Sequence, residues 1–223
     1  PGLIDAHAHF SSGGLLRLTQ VDLSYPQVTG ISDVVRLVGE RAASARDGGW
    51  VLGRGWDEGK LAERRLPHAS DIDAVTAGRP AWLVQTSGHY GLANSAALEL
   101  AGITRDTPDP PGGTIDRDVD GRPTGVLKES AMGLVTRHLP QAGPDTLREA
   151  LRAMAREFNR ECMTGVKDPG IGSGLSFDPD AALQTWNAYR DVLVSGDLTV
   201  RAFVLGTSPQ NVDDARRLLA LIE

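Results

Sequence analysis

The apolar and polar residues of this chain follow two periodicities in turn, and each predicts a different kind of element. After Ser32 or Asp33, apolar side chains recur every three or four positions, which predicts a capped helix as far as residue 45. Similar patterns predict helices over residues 144–160 and 181–195, shorter helices near 69–73 and before Gly102, and a last helix from residue 211. Apolar runs predict strands over residues 3–9, 50–56, 81–86, 164–166 and 198–205.

The order of these elements indicates an α/β fold. Strands and helices alternate toward the end of the chain, which is typical of a parallel sheet. Two stretches are predicted to be irregular: residues 11–14 as a flexible turn, and residues 104–124, rich in Pro, Gly and Asp, as a surface excursion or hairpin. The chain starts with Pro1 and its last helix has no stop signal, so we expect an interior piece of a longer protein.

Composition and charge exclude several classes of partner. The 223 residues are 40% hydrophobic and 23% charged, as in ordinary soluble globular proteins. The net charge is −6 with no basic block, so neither nucleic acid nor an anionic membrane is expected as a partner. The single cysteine, Cys162, excludes an intrachain disulfide and suits a reducing compartment, so we predict a cytoplasmic location.

Two histidines follow the first apolar run. Residues i and i+2 of a strand share a face, so we expect His7 and His9 to point the same way from α-carbons roughly 7 Å apart. Each imidazole can place a nitrogen about 2.0–2.1 Å from a zinc-like ion, with Asp5 or a backbone carbonyl fixing the ring tautomers. The spacing alone also suits two solvated histidines on an edge strand.

The residues around the two histidines decide between these interpretations. The whole run from Pro1 to His9, Pro-Gly-Leu-Ile-Asp-Ala-His-Ala-His, resembles the first barrel strand of the amidohydrolase superfamily, which supplies the first two metal ligands there. Further motifs resemble the YtcJ-like branch of the amidohydrolase-3 family and occur in that family's order. They are Ser87-Gly88-His89, Asn94-Ser95-Ala96-Ala97-Leu98, Gly112-Gly113-Thr114-Ile115, Pro123-Thr124-Gly125-Val126-Leu127 and Glu129-Ser130-Ala131.

The resemblance implies a particular α/β architecture. It is a partial (β/α)8 TIM barrel of the metal-dependent hydrolase type, with a large α+β insertion after strand 1. Residues 1–44 would hold the first barrel strand, residues 45–125 the insertion, and residues 126–223 barrel strands 2 and 3 with their helices. The later barrel strands would lie outside this chain.

The resemblance also implies a function. It is hydrolysis of non-peptide C–N bonds, in N-acyl or N-formyl amides or urea-like compounds, by water activated by one or two divalent ions, with zinc the first choice. His7 and His9 would bind metal and a small-molecule amide would be the partner, with a homodimer left open. The family completes its metal site with two histidines and an aspartate from later strands, so we expect the isolated chain to be inactive.

Five further residues are candidates for the site, each with a structural alternative. His89 is a predicted substrate contact or a locally hydrogen-bonded residue, and Asn94 is a substrate contact or a helix cap. Glu129 is a catalytic ligand of metal or substrate, or a first-turn helix residue. Lys167, once carboxylated, is a catalytic bridge between metals, or else part of a rim salt bridge. Asp168 is a substrate contact at the same rim, or a turn former.

Two other functions stay open. A non-catalytic metal-binding protein, or an incomplete barrel fragment, would keep the barrel start without the full ligand set. A ring-amidine deaminase of the same superfamily would share the histidine pair but not the motifs around His89 and Gly125.

Overall fold

The computed structural model describes residues 2–44, 49–171, 179–206 and 211–220. Its strands are β1 (Leu3–Asp5), β2 (Val21–Asp22), β3 (Val51–Trp56), β4 (Ala81–Gln85), β5 (Tyr90–Ala93), β6 (Gly113–Arg117), β7 (Pro123–Glu129), β8 (Met163–Ile171) and β9 (Arg201–Gly206). Its α-helices are α1 (Phe10–Thr19), α2 (Ile31–Ser44), α3 (Ala69–Ile72), α4 (Ser95–Leu100), α5 (Gly133–Thr136), α6 (Pro144–Arg160), α7 (Pro179–Val194) and α8 (Val212–Ala220). Two short 3-10 helices span Asp73–Val75 and Ser130–Met132.

The chain divides into two compact units, and the first joins the two ends of the sequence. It consists of residues 1–18 and 141–223. Its three strands form a parallel sheet in the order β1-β8-β9. One face is covered, because Val166 and Val204 pack into a core with residues of α6 and α7. Ile4, Lys167 and Phe203 lie on the opposite face and are exposed.

The second unit, residues 19–140, contains a six-stranded sheet in the order β2-β3-β4-β5-β7-β6. The first three strands are parallel and the remaining pairs are antiparallel, so the sheet is mixed. Neighbouring residues of one strand, such as Trp82 and Leu83, belong to different hydrophobic clusters, because successive side chains point to opposite faces. This sheet therefore has a core on each face. The described strands form two open sheets and no closed barrel.

The second unit is longer at both ends than the predicted insertion of residues 45–125. Val34 and Val38 of α2 pack in the same core as Leu83, so α2 belongs to this unit. Val135 of α5 packs with Leu127 on the other face. Residues 45–48, where the helix was predicted to stop, lie outside the described residues. Packing on both faces of the sheet sets the extent of this compact unit.

The predicted flexible turn at residues 11–14 is wrong, because these residues form the first turns of α1. Gly13 and Gly14 disfavour a helix by about 1 kcal/mol each relative to Ala, which is why the sequence suggested a turn. A side chain at Gly14, however, would stand 2.4 Å from the carbonyl oxygen of Ala150 in α6. The glycine lets α1 pack directly on the backbone of α6, so tertiary packing outweighs helix propensity here.

The hydropathy of the helices sets a further limit. No helix in the described part of the chain is both long enough and apolar enough to cross a membrane.

Candidate functional site

The two histidines lie just beyond the end of β1 rather than on a strand. The strand ends at Asp5, where the sequence predicted it to continue to His9. The reason is local: Asp5 Oδ1 accepts the backbone N–H of His7 at 2.9 Å, and this contact bends the chain out of the extended conformation. Asp5 therefore hydrogen-bonds to the backbone of His7. It does not fix the tautomer of an imidazole ring, which is the role that the sequence suggested.

The histidine side chains nevertheless lie side by side. Their ring centroids are 5.5 Å apart at an interplanar angle of 79°, and both residues are exposed. Two imidazoles that each place a nitrogen about 2.1 Å from a tetrahedral ion have ring centres roughly 5 Å apart. The pair therefore fits two ligands of a zinc-like ion. The described residues contain no cluster of three or more His, Cys, Asp or Glu that could hold a metal, so these two would be part of a larger ligand set.

The loop that carries the histidines is attached to β8 through its backbone. Ala8 donates its N–H to the carbonyl oxygen of Lys167 at 3.1 Å, and Gly13 donates to the carbonyl oxygen of His9 at 2.8 Å. The histidines therefore lie beside the stretch of β8 that the sequence singled out as a catalytic rim. The Lys167 side chain is exposed and forms no ion pair with any described residue, so the predicted salt bridge is not found there.

Asp168 lies in the interior, where the sequence predicted a substrate contact or a turn. Asp168 is fully buried within β8. The Asp-Pro-Gly run does not form a turn but continues that strand, with a register irregularity against β9. Asp168 Oδ2 accepts the backbone N–H of Ser11 at 2.9 Å, the Ser11 hydroxyl at 2.8 Å and the Tyr189 hydroxyl at 2.7 Å. A fully buried carboxylate engaged in this way is not available to a substrate.

Tyr189 donates to Asp168 as a neutral phenol. Burial raises the pKa of Tyr189 far above its usual value, and the Asp168 carboxylate raises it further. The hydroxyl therefore remains a hydrogen-bond donor at any physiological pH.

In the second unit, His89 and Glu129 form a pair. His89 lies in the turn between β4 and β5, and its Nδ1 is 3.1 and 3.2 Å from the two carboxylate oxygens of Glu129 at the end of β7. Both side chains are more than half exposed. Of the five further candidates, these are the two that the structure brings together.

The backbone of Glu129 is in a conformation that favours glycine. Its φ is 51° and its ψ is −128°. A non-glycine residue held in such a region costs of order 1–3 kcal/mol. The surroundings hold it there: the N–H of Glu129 donates to the carbonyl oxygen of His89 at 2.8 Å. The Glu129 carboxylate thus projects from a strained position at the end of β7, directly before the 3-10 helix Ser130–Met132, and its side chain makes no capping hydrogen bond to that helix.

The pair borders an open pocket of about 620 Å³ in the second unit, a size typical of small-molecule sites. Residues that line it include Glu58, Arg65, Tyr90 and Lys128. Tyr90 donates its hydroxyl to Glu58 Oε1 at 2.6 Å, and burial followed by the Glu58 contact raises the pKa of Tyr90 above its usual value. Glu58 is therefore held by a neutral phenol.

Two of the cations that line the pocket, Arg65 and Lys128, are anchored by carboxylates outside it. Arg65 makes two hydrogen bonds to Asp71 at 2.7 and 2.8 Å, and Lys128 Nζ lies 2.8 Å from Asp116. Sequence reasoning missed Glu58 and Arg65, because neither belongs to a motif or a periodic pattern and only the folding of the strands brings them together.

Asn94 serves the fold. It is 1% exposed; its Oδ1 accepts the N–H groups of Ala81 at 2.8 Å and Ala97 at 3.0 Å. Its Nδ2 donates to Thr76 at 3.0 Å and to the Arg79 carbonyl at 2.8 Å. These four hydrogen bonds use the whole hydrogen-bonding capacity of the amide. Asn94 is therefore a helix cap, the structural alternative, and no polar atom of its side chain is left to contact a substrate.

The chain is similar to proteins from plants and bacteria. It is 36% identical over 204 residues to LONG AFTER FAR-RED 3 of Arabidopsis thaliana and 32% identical over 205 residues to YtcJ of Bacillus subtilis, whose name assigns it to the amidohydrolases. Each match covers 92% of this chain. It is also 34% identical over 172 residues, 75% of the chain, to N-substituted formamide deformylase of Arthrobacter pascens. The chain spans about a third of the length of these relatives.

Two solved structures share the fold at low sequence identity. One is described as an uncharacterized metal-dependent hydrolase from Pyrococcus horikoshii, with a TM-score of 0.63 and 18% identity over 92% of this chain and 36% of that protein. The other is its counterpart from Pyrococcus furiosus, with a TM-score of 0.63 and 21% identity over 98% of this chain and 40% of that protein.

These comparisons confirm the resemblance to amidohydrolases that the sequence motifs indicated. The model of the amidohydrolase family matches residues 1–221, almost the whole chain. The chain therefore belongs to the amidohydrolase family.

Proposed function

We propose that this chain is part of a metal-dependent hydrolase that cleaves non-peptide C–N bonds in small amides or urea-like compounds. The strands β1, β8 and β9 would be the first three strands of a (β/α)8 barrel, and the second unit would be the insertion after strand 1. The single observation that carries the proposal is the pair of exposed imidazoles 5.5 Å apart on a loop that is hydrogen-bonded to Lys167 of β8. The exposed free thiol of Cys162 suits the cytoplasm, the compartment that we propose.

His7 and His9 would hold the more deeply bound ion, zinc being our first choice, and Lys167, once carboxylated, would help to hold a second. When bound, such an ion lowers the pKa of a coordinated water toward ~7 and polarises the scissile carbonyl. The residues of this chain orient that centre, because Ala8 and Gly13 anchor the histidine loop on either side. The name of one relative, the N-substituted formamide deformylase, supports this chemistry. The two solved structures described as metal-dependent hydrolases support the metal.

We further propose that the pocket of the second unit binds the amide, with His89 and Glu129 as its polar contacts. Glu129 accepts hydrogen bonds and would recognise an N–H group of the substrate. The strained backbone supports this role, because strain of this kind persists mostly at functional positions.

The Glu129→Gly variant separates function from stability. Glycine adopts the positive φ of residue 129 without strain, so we expect the full-length protein to become more stable by about 1 kcal/mol and to lose affinity for its amide substrate. Thermal unfolding and the KM of the hydrolysis measure the two effects. Glu129→Gln is the matched control, since it keeps the strain and removes only the charge: it should weaken substrate binding without a gain in stability. A Glu129→Gly protein with unchanged KM would contradict the role of this carboxylate.

Removal of metal tests the proposed function as a whole. The full-length protein, stripped with a chelator, is assayed on a panel of N-formyl amides, N-acyl amides and urea-like compounds, and then reloaded with Zn²⁺. We expect hydrolysis to disappear on stripping and to return with zinc. Hydrolysis that survives stripping would overturn metal dependence. Release of ammonia from ring amidines, without cleavage of any amide, would favour the deaminase, and metal binding without any turnover would favour the non-catalytic protein.

A further inference from the structure

We infer that Asp168 is a positioning residue for the metal-binding histidines: its buried carboxylate holds Ser11 and thereby fixes the loop of His7 and His9 against β8. The inference rests on the proposed function, because it concerns the same histidine pair. It differs from the substrate contact that the sequence suggested for Asp168.

The contact spans most of the chain. Asp168 and Ser11 are 157 residues apart in sequence, and Ser11 stands two residues after His9. Asp168 Oδ2 accepts both the backbone N–H and the hydroxyl of Ser11. One carboxylate oxygen therefore fixes both the main chain and the side chain of a residue next to the histidine loop.

Two consecutive residues of β8 hold the loop on both sides of His9. The carbonyl oxygen of Lys167 accepts the N–H of Ala8, and the carboxylate of Asp168 accepts from Ser11. Hydrogen bonds on both flanks leave the backbone of His9 little freedom, so β8 fixes the direction of the Cα–Cβ bond from which the imidazole projects.

Phe10 and Tyr189 support the same arrangement from the core. Phe10, the residue after His9, is fully buried and stacks on the Tyr189 ring with centroids 6.3 Å apart. The Tyr189 hydroxyl is the third donor to Asp168 Oδ2. The histidine loop is thus tied to α7 as well as to β8.

The buried carboxyl group of Asp168 carries a cost beside the three hydrogen bonds that it accepts. Its second oxygen, Oδ1, is buried and has no hydrogen-bond partner among the described residues. An unsatisfied buried polar group costs about 1–3 kcal/mol, more when it is charged. No described cation forms an ion pair with Asp168, and its charge is met only by two hydroxyls and the N-terminal end of α1. A costly buried carboxyl group that is hydrogen-bonded to the segment directly after the two candidate metal ligands supports a role in holding that segment.

The test is the affinity for metal of the full-length protein, stripped and then titrated with Zn²⁺ against a competing chelator. We expect Asp168→Ala, which removes all three hydrogen bonds that Oδ2 accepts, to weaken zinc binding by about 10–100-fold, the usual effect of losing a group that orients a ligand. We also expect it to change the visible spectrum of the Co²⁺-loaded protein, which reports ligand geometry. Ser11→Ala, which keeps the backbone donor, should have a smaller effect of the same sign. Asp191→Ala is the matched control, because Asp191 is on α7 but pairs with Arg148; it should leave both readouts unchanged.

The outcomes separate this inference from the proposed function. If His7→Ala and His9→Ala lose zinc while Asp168→Ala keeps wild-type affinity and cobalt spectrum, Asp168 is structural only and the inference is overturned. If the histidine variants keep their zinc, the proposed function itself fails. Should Asp168→Ala not fold, Ser11→Ala and Tyr189→Phe, which each remove one donor, take its place: unchanged zinc affinity in both would overturn the inference.

Discussion

Replacement of His7 or His9 by Ala in the full-length protein is expected to remove a metal ion and almost all hydrolytic activity. Each imidazole would supply one of the few bonds that hold the ion. The polarisation that a bound ion supplies is worth several kcal/mol, and about 1.4 kcal/mol corresponds to a tenfold change in rate, so we expect activity to fall by about 10³-fold or more. Metal analysis of the purified variants and the rate of amide hydrolysis measure the two effects.

His138→Ala is the control for this experiment. His138 is exposed and lies in the second unit, away from the histidine pair in sequence, so its loss should change neither metal content nor rate. Wild-type metal stoichiometry in both the His7 and His9 variants would show that the pair does not bind the ion, whatever happens to the rate.

The Gly125→Ala substitution is expected to destabilise the protein by roughly 2–6 kcal/mol. Two costs combine at this residue of β7. Its φ is +102°, a conformation that costs a side-chain-bearing residue of order 1–3 kcal/mol. In addition, a new Cβ would stand 2.3 Å from the carbonyl oxygen of Ala93 in the neighbouring strand, and overpacking of this kind typically costs about 1–3 kcal/mol. A lower midpoint of thermal unfolding and a lower yield of folded protein are the readouts.

Gly78→Ala separates the two costs. Gly78 also has a positive φ, +75°, but a Cβ there would meet nothing within 4 Å. We expect this variant to lose only the conformational part, about 1 kcal/mol. Equal loss of stability in the two variants would mean that the close approach of β7 to Ala93 does not matter.

Local patterns were sufficient to predict the elements in which apolar residues recur with a single helical or strand periodicity. The amphipathic helices α2, α6 and α7 lie within a few residues of their predicted positions, and so do the strands β3 and β4. Local patterns failed where long-range packing decides. Residues 11–14 form a helix because Gly14 packs on α6, and Tyr90–Ala93 form a strand because they pair with β4 and β7.

The candidate site shows the same division. The sequence identified the histidine pair, but the two rings lie side by side on a loop and not on the predicted strand, because β1 ends at Asp5. The roles of Asn94 and Asp168 did not follow from the sequence. Asn94 uses its amide on backbone groups up to 15 residues away, and Asp168 uses its carboxylate on Ser11 and Tyr189.

By itself, the sequence determined the family, the histidine pair and the alternation of helices and strands, because each of these depends on residues that are neighbours in the chain. Only the tertiary structure decided which polar residues face a pocket and which are buried. His89 and Glu129 form a pair although they are 40 positions apart, and Asp168 accepts hydrogen bonds from Ser11, which is 157 positions away. Hydrogen bonds and packing across such separations are set by how the strands assemble, and no local pattern encodes them.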